Sequence, residues 1–177
     1  MGEKFVNYQV RCDSQHDVAL VVKKITQNQA YVSPSKNGWI TVYDQTSEKF
    51  NHDCIRNFIQ KLSAHLSTTV FAFIVFSGLH FIYLLYDKGE IIDEFYDDPE
   101  DETFGYDYAD DLIIKRFQGN PSKLLKYCTE GTKEEKFSEL FASLKQRDLE
   151  YLGQEAVYNF APLFNIDVAM ACQHSGD

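Results

Sequence analysis

The chain has 177 residues, 44% of them apolar, and 27 acids against 17 bases give a net charge of −10. That length and apolar share fit a single domain with a self-sufficient core and exclude a disordered chain. The negative balance excludes general nucleic-acid binding, because phosphate repels it.

Residues 5–12 alternate as a strand. Ser14, with Asp17 three residues on, approximates a capping box ahead of Val18, Val21, Val22 and Ile25, which share one helical face. A short strand follows over 30–32. The run SPSKNG (33–38) is turn chemistry, with Asn37-Gly38 able to take positive φ. The next strand, 39–43, alternates Trp39, Thr41 and Tyr43 against Ile40 and Val42. Within 51–67, Ile55, Phe58, Ile59, Leu62 and Leu66 recur at the spacing of a helix packed on one side.

Residues 69–86, TVFAFIVFSGLHFIYLLY, carry no formal charge. Eighteen such residues could cross a membrane as a helix. The Ser77-Gly78 pair in the middle and the β-branched and aromatic flanks favour a buried hairpin instead. Asp87-Lys88-Gly89 turns into a further strand over 90–96. These strands are apolar on both faces, so both must be covered. The N-terminal helices are expected on one side, and the C-terminal helices or a second subunit on the other.

The C-terminal third reads as helical. Asn120-Pro121 opens a short helix through Leu124, Leu125 and Cys128. Thr132 and Glu135 have capping-box spacing ahead of Phe137, Leu140, Phe141 and Leu144. A last helix is expected within 149–164, with Val157, Phe160, Ala161 and Phe164 as its stripe and Pro162 as a kink or stop. The expected fold is one α+β domain over 1–177. Its mainly antiparallel sheet is ferredoxin-like (split βαβ), extended by two hairpin strands. The helix-and-sheet core spans 1–96, an acidic aromatic connection 97–119 and a helical part 120–172.

Charge is unevenly placed. The stretch DEFYDDPEDETFGYDYADD (93–111) holds ten carboxylates, five aromatic rings and no lysine or arginine. Without it the chain has 17 acids and 17 bases. An EF-hand loop needs alternate aspartates, a central glycine and a closing glutamate. The run 97–102 lacks that spacing, so no metal site is assigned. The aromatics suit an interaction surface, since Tyr and Phe anchor interfaces. The partner-binding residues expected are Tyr96, Asp97, Asp98, Asp101, Tyr106, Asp107 and Tyr108, facing a basic protein in an immunity or regulatory role. The bland reading is a solvated loop pinned to the domain by rings such as Phe95 and Phe104.

The remaining motifs carry less. Cys12, Cys54, Cys128 and Cys172 are scattered without a CxxC, as reduced thiols of a cytoplasmic protein. The start, MGEKFVNYQV, lacks the apolar core of a signal peptide. His52-Asp53-Cys54 and Cys172-Gln173-His174 lack zinc-ligand spacing, and His80 reads as a histidine satisfied at a strand end. No GxSxG or phosphate loop is present, so no catalytic residue and no cofactor is assigned. Three alternatives stand beside the interaction reading: a divalent-cation-binding domain, a structural homo-oligomer, and an enzyme with a pocket invisible in sequence.

GWITVYDQTSE, then an amphipathic helix ending LS, then VFAFIVFSGLHFIYLLYDKGEIIDEFYDDP and RFQGNPSKLL, resemble a bacterial family of small uncharacterised proteins. The resemblance covers roughly residues 35–165. It implies a bacterial, cytoplasmic origin, no established activity and no functional residue. The chain departs from that family at Phe76-Ser77-Gly78, where the family carries an acidic or histidine-bearing element. It departs again at Asp98-Pro99, in place of a small-residue–Pro turn.

Overall fold

The computed structural model describes residues 4–100 and 111–172. It is a mixed α+β fold around one open six-stranded sheet. The strands are β1 (Phe5–Arg11), β2 (Ala30–Val32), β3 (Trp39–Asp44), β4 (Thr69–Phe76), β5 (His80–Asp87) and β6 (Glu90–Tyr96). Their order is β2-β3-β1-β4-β5-β6, with every neighbouring pair antiparallel. The first strand of the chain is thus an inner strand, and the sheet ends at β2 on one side and β6 on the other.

Two helices line one face. In α1 (Gln15–Ile25) the Ser14 hydroxyl accepts from the Asp17 N–H at 3.2 Å, and in α2 (His52–Leu66) Asn51 caps the Cys54 N–H at 2.9 Å. These side chains satisfy donors that the first helical turn leaves without a carbonyl. Val18, Val22, Ile55, Phe58, Ile59 and Leu62 pack there on the even-numbered side chains of β1, β3 and β4, such as Tyr8, Val42 and Ile74.

The opposite face carries Phe71, Phe73, Phe81, Tyr83 and Phe95, all fully buried. Its cover comes from the same chain: α4 (Pro121–Leu124), α5 (Glu134–Lys145), α6 (Gln154–Phe160) and α7 (Val168–Ala171). Phe137, Leu140, Phe141 and Leu144 from α5, with Val157 and Phe160 from α6, interleave with the sheet's rings. The Phe160 ring stacks on Tyr83 with centroids 4.7 Å apart. Every ring buried this way removes 150 Å² or more from water, about the scale of 1.5–3 kcal/mol for a large side chain.

The uncharged run 69–86 is the β4–β5 hairpin, turning at Ser77 and Gly78, both with positive φ. Among the described residues no helix is long and apolar enough to cross a membrane. Lys88-Gly89 makes the next tight turn in the same left-handed region.

Several expected details differ. Thr132 does not cap α5. That helix starts at Glu134, and the Thr132 hydroxyl pairs with Thr129 at 3.0 Å. The last expected helix begins at Gln154 rather than near 149. It gives way at Ala161 to a 3-10 turn, because Pro162 offers no N–H to continue the α ladder. Within the expected connection 97–119 lies a further helix, α3 (Asp111–Arg116), and Gln118 bridges to Phe95 at the outer edge of β6.

The C-terminal segment docks through side chains of the sheet. Trp39 Nε1 donates to the Phe164 carbonyl at 2.9 Å, Asn7 to Ala171 at 2.6 Å and the Tyr43 hydroxyl to Met170 at 3.0 Å. A buried polar chain supports them: Gln9 donates to Asn7 at 2.9 Å, and Thr41 to Gln9 at 2.9 Å.

Candidate functional site

The acidic stretch begins on β6, and its first carboxylates point inward. Asp93, Glu94 and Asp97 are all buried. Buried charge is costly unless paired and hydrogen-bonded; Asp93 and Glu94 meet that condition, whereas Asp97 keeps one oxygen, Oδ2, buried without a hydrogen bond. Asp93 accepts from the Tyr83 hydroxyl at 2.6 Å and from the Asn120 N–H at 2.9 Å. Burial still holds its carboxyl above the usual range, and burial beside Asp93 raises the Tyr83 phenol.

Glu94 faces the other side of the strand and receives two arginines. Arg116 donates through Nε at 2.6 Å, and Arg56 forms a second ion pair. The Arg56 Nε donates to His52 Nδ1 at 2.9 Å, so that nitrogen must be unprotonated. Burial, with Arg56 adding to it, pushes His52 down to about 4. The Phe117 ring lies against both guanidinium groups, 5.8 Å from Arg56 and 5.5 Å from Arg116. Two cations, one carboxylate, a neutral imidazole and an aromatic face thus make one network joining α2, β6 and the end of α3.

Asp97 closes the strand. Its Oδ1 accepts the Phe81 N–H at 3.2 Å and lies 3.4 Å from His80 Nδ1. Burial raises its carboxyl, an effect that His80 partly offsets. His80 stands at the start of β5 with its ring edge-on to Tyr96, at 6.0 Å.

The seven residues expected to meet a partner therefore divide. Tyr96 is 1% exposed and Asp97 7% exposed, so both are interior groups that stabilise the end of the sheet. Asp98 is half-buried and paired with Arg147. Asp101, Tyr106, Asp107 and Tyr108 lie outside the described residues, as does Phe104. Phe95 is fully buried, as the pinning role requires.

Asp98 belongs to a rim where three segments meet. The β4–β5 turn touches the α5–α6 connection through Gly78 and Gly153. Arg147 at the start of that connection holds Asp98. Two large apolar side chains on these segments face water, Leu79 at 47% and Leu149 at 82% exposure. An acidic group, a paired arginine and exposed leucines at one place can meet a partner that is both basic and apolar.

Other candidates stay apart. No disulfide joins the four cysteines. No three His, Cys, Asp or Glu groups gather as metal ligands among the described residues. A cleft of about 400 Å³ is lined by Arg11, Cys12, Trp39, Tyr127, Cys128 and Asn165 among others, yet Cys12 packs with the α1–α2 layer and Cys128 with the opposite one. A groove of about 440 Å³ beside β6 exposes Lys115, Arg116 and Lys123 over Ile91 and Ile92.

No family model, curated protein or solved structure matches the chain. The Arg56–Glu94–Arg116 network and the Tyr83–Asp93 pair are missing from the sequence reading. The available signal is two adjacent acids inside a strand whose neighbours are apolar on both faces, which places at least one of them indoors.

Proposed function

We propose that the chain is a non-enzymatic interaction module of a bacterial cytoplasm, and that its acidic stretch from Asp98 onward engages a basic protein. One observation carries this reading. The carboxylates of Asp93, Glu94 and Asp97 are buried at the end of the sheet and Asp98 is paired with Arg147, which leaves six further acids over 100–111 with no lysine or arginine among them. The exposed Leu79 and Leu149 beside Asp98 supply apolar contact area at the same rim. Complementary charge would raise the association rate and select the partner, and burial of the leucines would hold it.

The fold is read as a ferredoxin-like arrangement over β1 to β4 with α1 and α2, extended by β5 and β6. The neighbour order β2-β3-β1-β4 supports that reading. Such a scaffold carries many functions and selects none of them.

The test replaces Asp98, Asp101, Asp107 and Asp110 with Asn and follows binding of an arginine-rich peptide by calorimetry, alongside capture from the source extract. Wild-type affinity should fall steeply with salt, and the variant should bind at least tenfold more weakly. Equal affinity of the two proteins would sink the proposal.

A further inference from the structure

We infer that the cleft at the end of β1 binds a free α-amino acid, with the ligand's carboxylate on Arg11 and its ammonium on Asp13. Four separate segments wall this cleft: the end of β1, the Asn37-Gly38 turn before β3, the α4–α5 connection and the Phe164-Asn165 turn. Its volume of about 400 Å³ lies within the range of small-molecule sites. It holds one cation and one anion. Among the described residues neither Arg11 nor Asp13 forms an ion pair, with the other or elsewhere. In the groove beside β6, by contrast, Arg116 is already paired with Glu94.

The cation is set for a planar anion. The Arg11 guanidinium lies 5.8 Å from the Trp39 ring, and Trp39 is its direct cross-strand partner. A guanidinium stacked on a ring keeps its fork of N–H donors for a carboxylate, which it grips through two parallel hydrogen bonds. The Arg11 carbonyl is held as well, since the Thr68 hydroxyl donates to it at 2.6 Å. Behind the guanidinium the buried rings of Trp39, Tyr127 and Phe164 line the cleft. Their polar atoms are committed: Trp39 Nε1 donates to the Phe164 carbonyl, and the Tyr127 hydroxyl to Asp87 at 3.2 Å. Recognition therefore falls to the charged pair, with the amides of Asn37 and Asn165 beside it.

The anion is set two positions further on. The Ser35 hydroxyl lies 3.5 Å from Asp13 Oδ1, which leaves Oδ2 without a partner among the described residues. The chain between them is pinned, because the Cys12 N–H donates to the Gly38 carbonyl at 3.0 Å and the Ser35 hydroxyl to the Cys12 carbonyl at 3.2 Å. Two residues of chain place the Arg11 and Asp13 Cα atoms at most about 7 Å apart. A lone anion would be repelled by Asp13, and a lone cation by Arg11. A ligand that carries both charges on neighbouring atoms satisfies the two walls at once. The walls are ordered before it arrives, and preorganisation of this kind lowers the cost of binding.

The site shares no residue with the acidic stretch, so the two readings fail separately. The test is a two-dimensional NMR titration of the full chain with glycine and with L-leucine, against N-acetyl-L-leucine, which lacks the ammonium, all at one ionic strength. Trp39 is the single tryptophan, so its indole N–H reports the cleft without overlap. Saturable shifts should gather there and at the amides of Cys12, Gly38 and Thr129. N-acetyl-L-leucine should bind about tenfold more weakly than L-leucine, Arg11→Gln should lose about tenfold and Asp13→Asn about fivefold. Both positions are exposed, and unchanged amide signals outside the cleft show that the variants fold. Equal affinity for glycine and L-leucine assigns recognition to the charged pair alone, and tighter L-leucine adds its side chain. No saturable shift with either amino acid, N-acetyl-L-leucine bound as tightly as L-leucine, or unchanged affinity in both variants overturns the inference.

Discussion

Glu94 shows how much one side chain can hold. It joins Arg56 on α2 to Arg116 at the end of α3, in a place where Glu94 and Arg56 are shielded from water and Arg116 stays half exposed. Removing one member of such a network strands the others. Glu94→Ala is expected to cost about 3 kcal/mol in urea unfolding, far more than an exposed ion pair contributes. His52 makes the same network sensitive to acid. Its folded value near 4 lies below the ordinary 6.5. Between those pH values the unfolded chain takes up a proton that the folded chain refuses, so stability falls as pH drops through that window. His52→Gln keeps an acceptor for Arg56 and removes the titration. Wild type should lose about 2 kcal/mol more than this variant between pH 6.5 and 4, measured by denaturant midpoints at each pH, with the imidazole's partial exposure allowed for. None of these partnerships was legible in the sequence. Asp93, Glu94 and Asp97 read as the front of a charged surface because composition records charge and not direction. Strand geometry sends Asp93 and Glu94 to opposite faces, and each face is closed by residues remote in the chain.

At the scale of elements the sequence was far more informative. All six strands and the two N-terminal helices form where alternation, apolar spacing and turn residues put them, because each is specified by neighbours a few positions away. Capping shows the boundary of that logic. Ser14 and Thr132 both precede a plausible helix, yet only Ser14 meets an amide three residues on. Ser14→Ala should therefore cost about 1 kcal/mol, and Thr132→Ala only a few tenths, by thermal unfolding. Gly153 is a position that no local pattern marks. It has a φ of 55°, and an added Cβ would collide with the Gly78 carbonyl across the rim. Gly153→Ala combines backbone strain with a backbone clash, and a loss of about 2 kcal/mol or more is expected, with the β4–β5 turn shifting in amide spectra. The helix α7 was missed for a related reason. It has only four residues, and its carbonyls are claimed by Asn7 and Tyr43, 164 and 127 positions away.

For the whole molecule, one sheet serves as the common wall of two cores. The phenylalanine-rich face meets its cover within the same chain, which answers the need that had pointed toward a second subunit. Both layers share β1, β4 and β5, so neither can be lost alone without exposing the other's support. Trp39, the single tryptophan, sits at this junction and bonds to the Phe164 carbonyl. Its fluorescence reports docking of the C-terminal layer, while far-ultraviolet dichroism reports the whole backbone. The two urea transitions should superimpose, and a fluorescence change at lower urea would mean that the C-terminal layer unfolds as a separate unit.

The inner position of β1 also bears on how a ribosome delivers this protein. β1 has no partner until β3 and β4 follow, because its two neighbours lie about thirty and sixty residues downstream. Phe71, Phe73 and Phe81 then wait longer still, since α5 and α6 begin well downstream, at Glu134 and Gln154. At ordinary elongation rates of about 5–20 residues per second, that face stays wet for several seconds in every round of synthesis. The aromatic face of a nascent chain of this topology therefore needs shielding until α5 and α6 have followed.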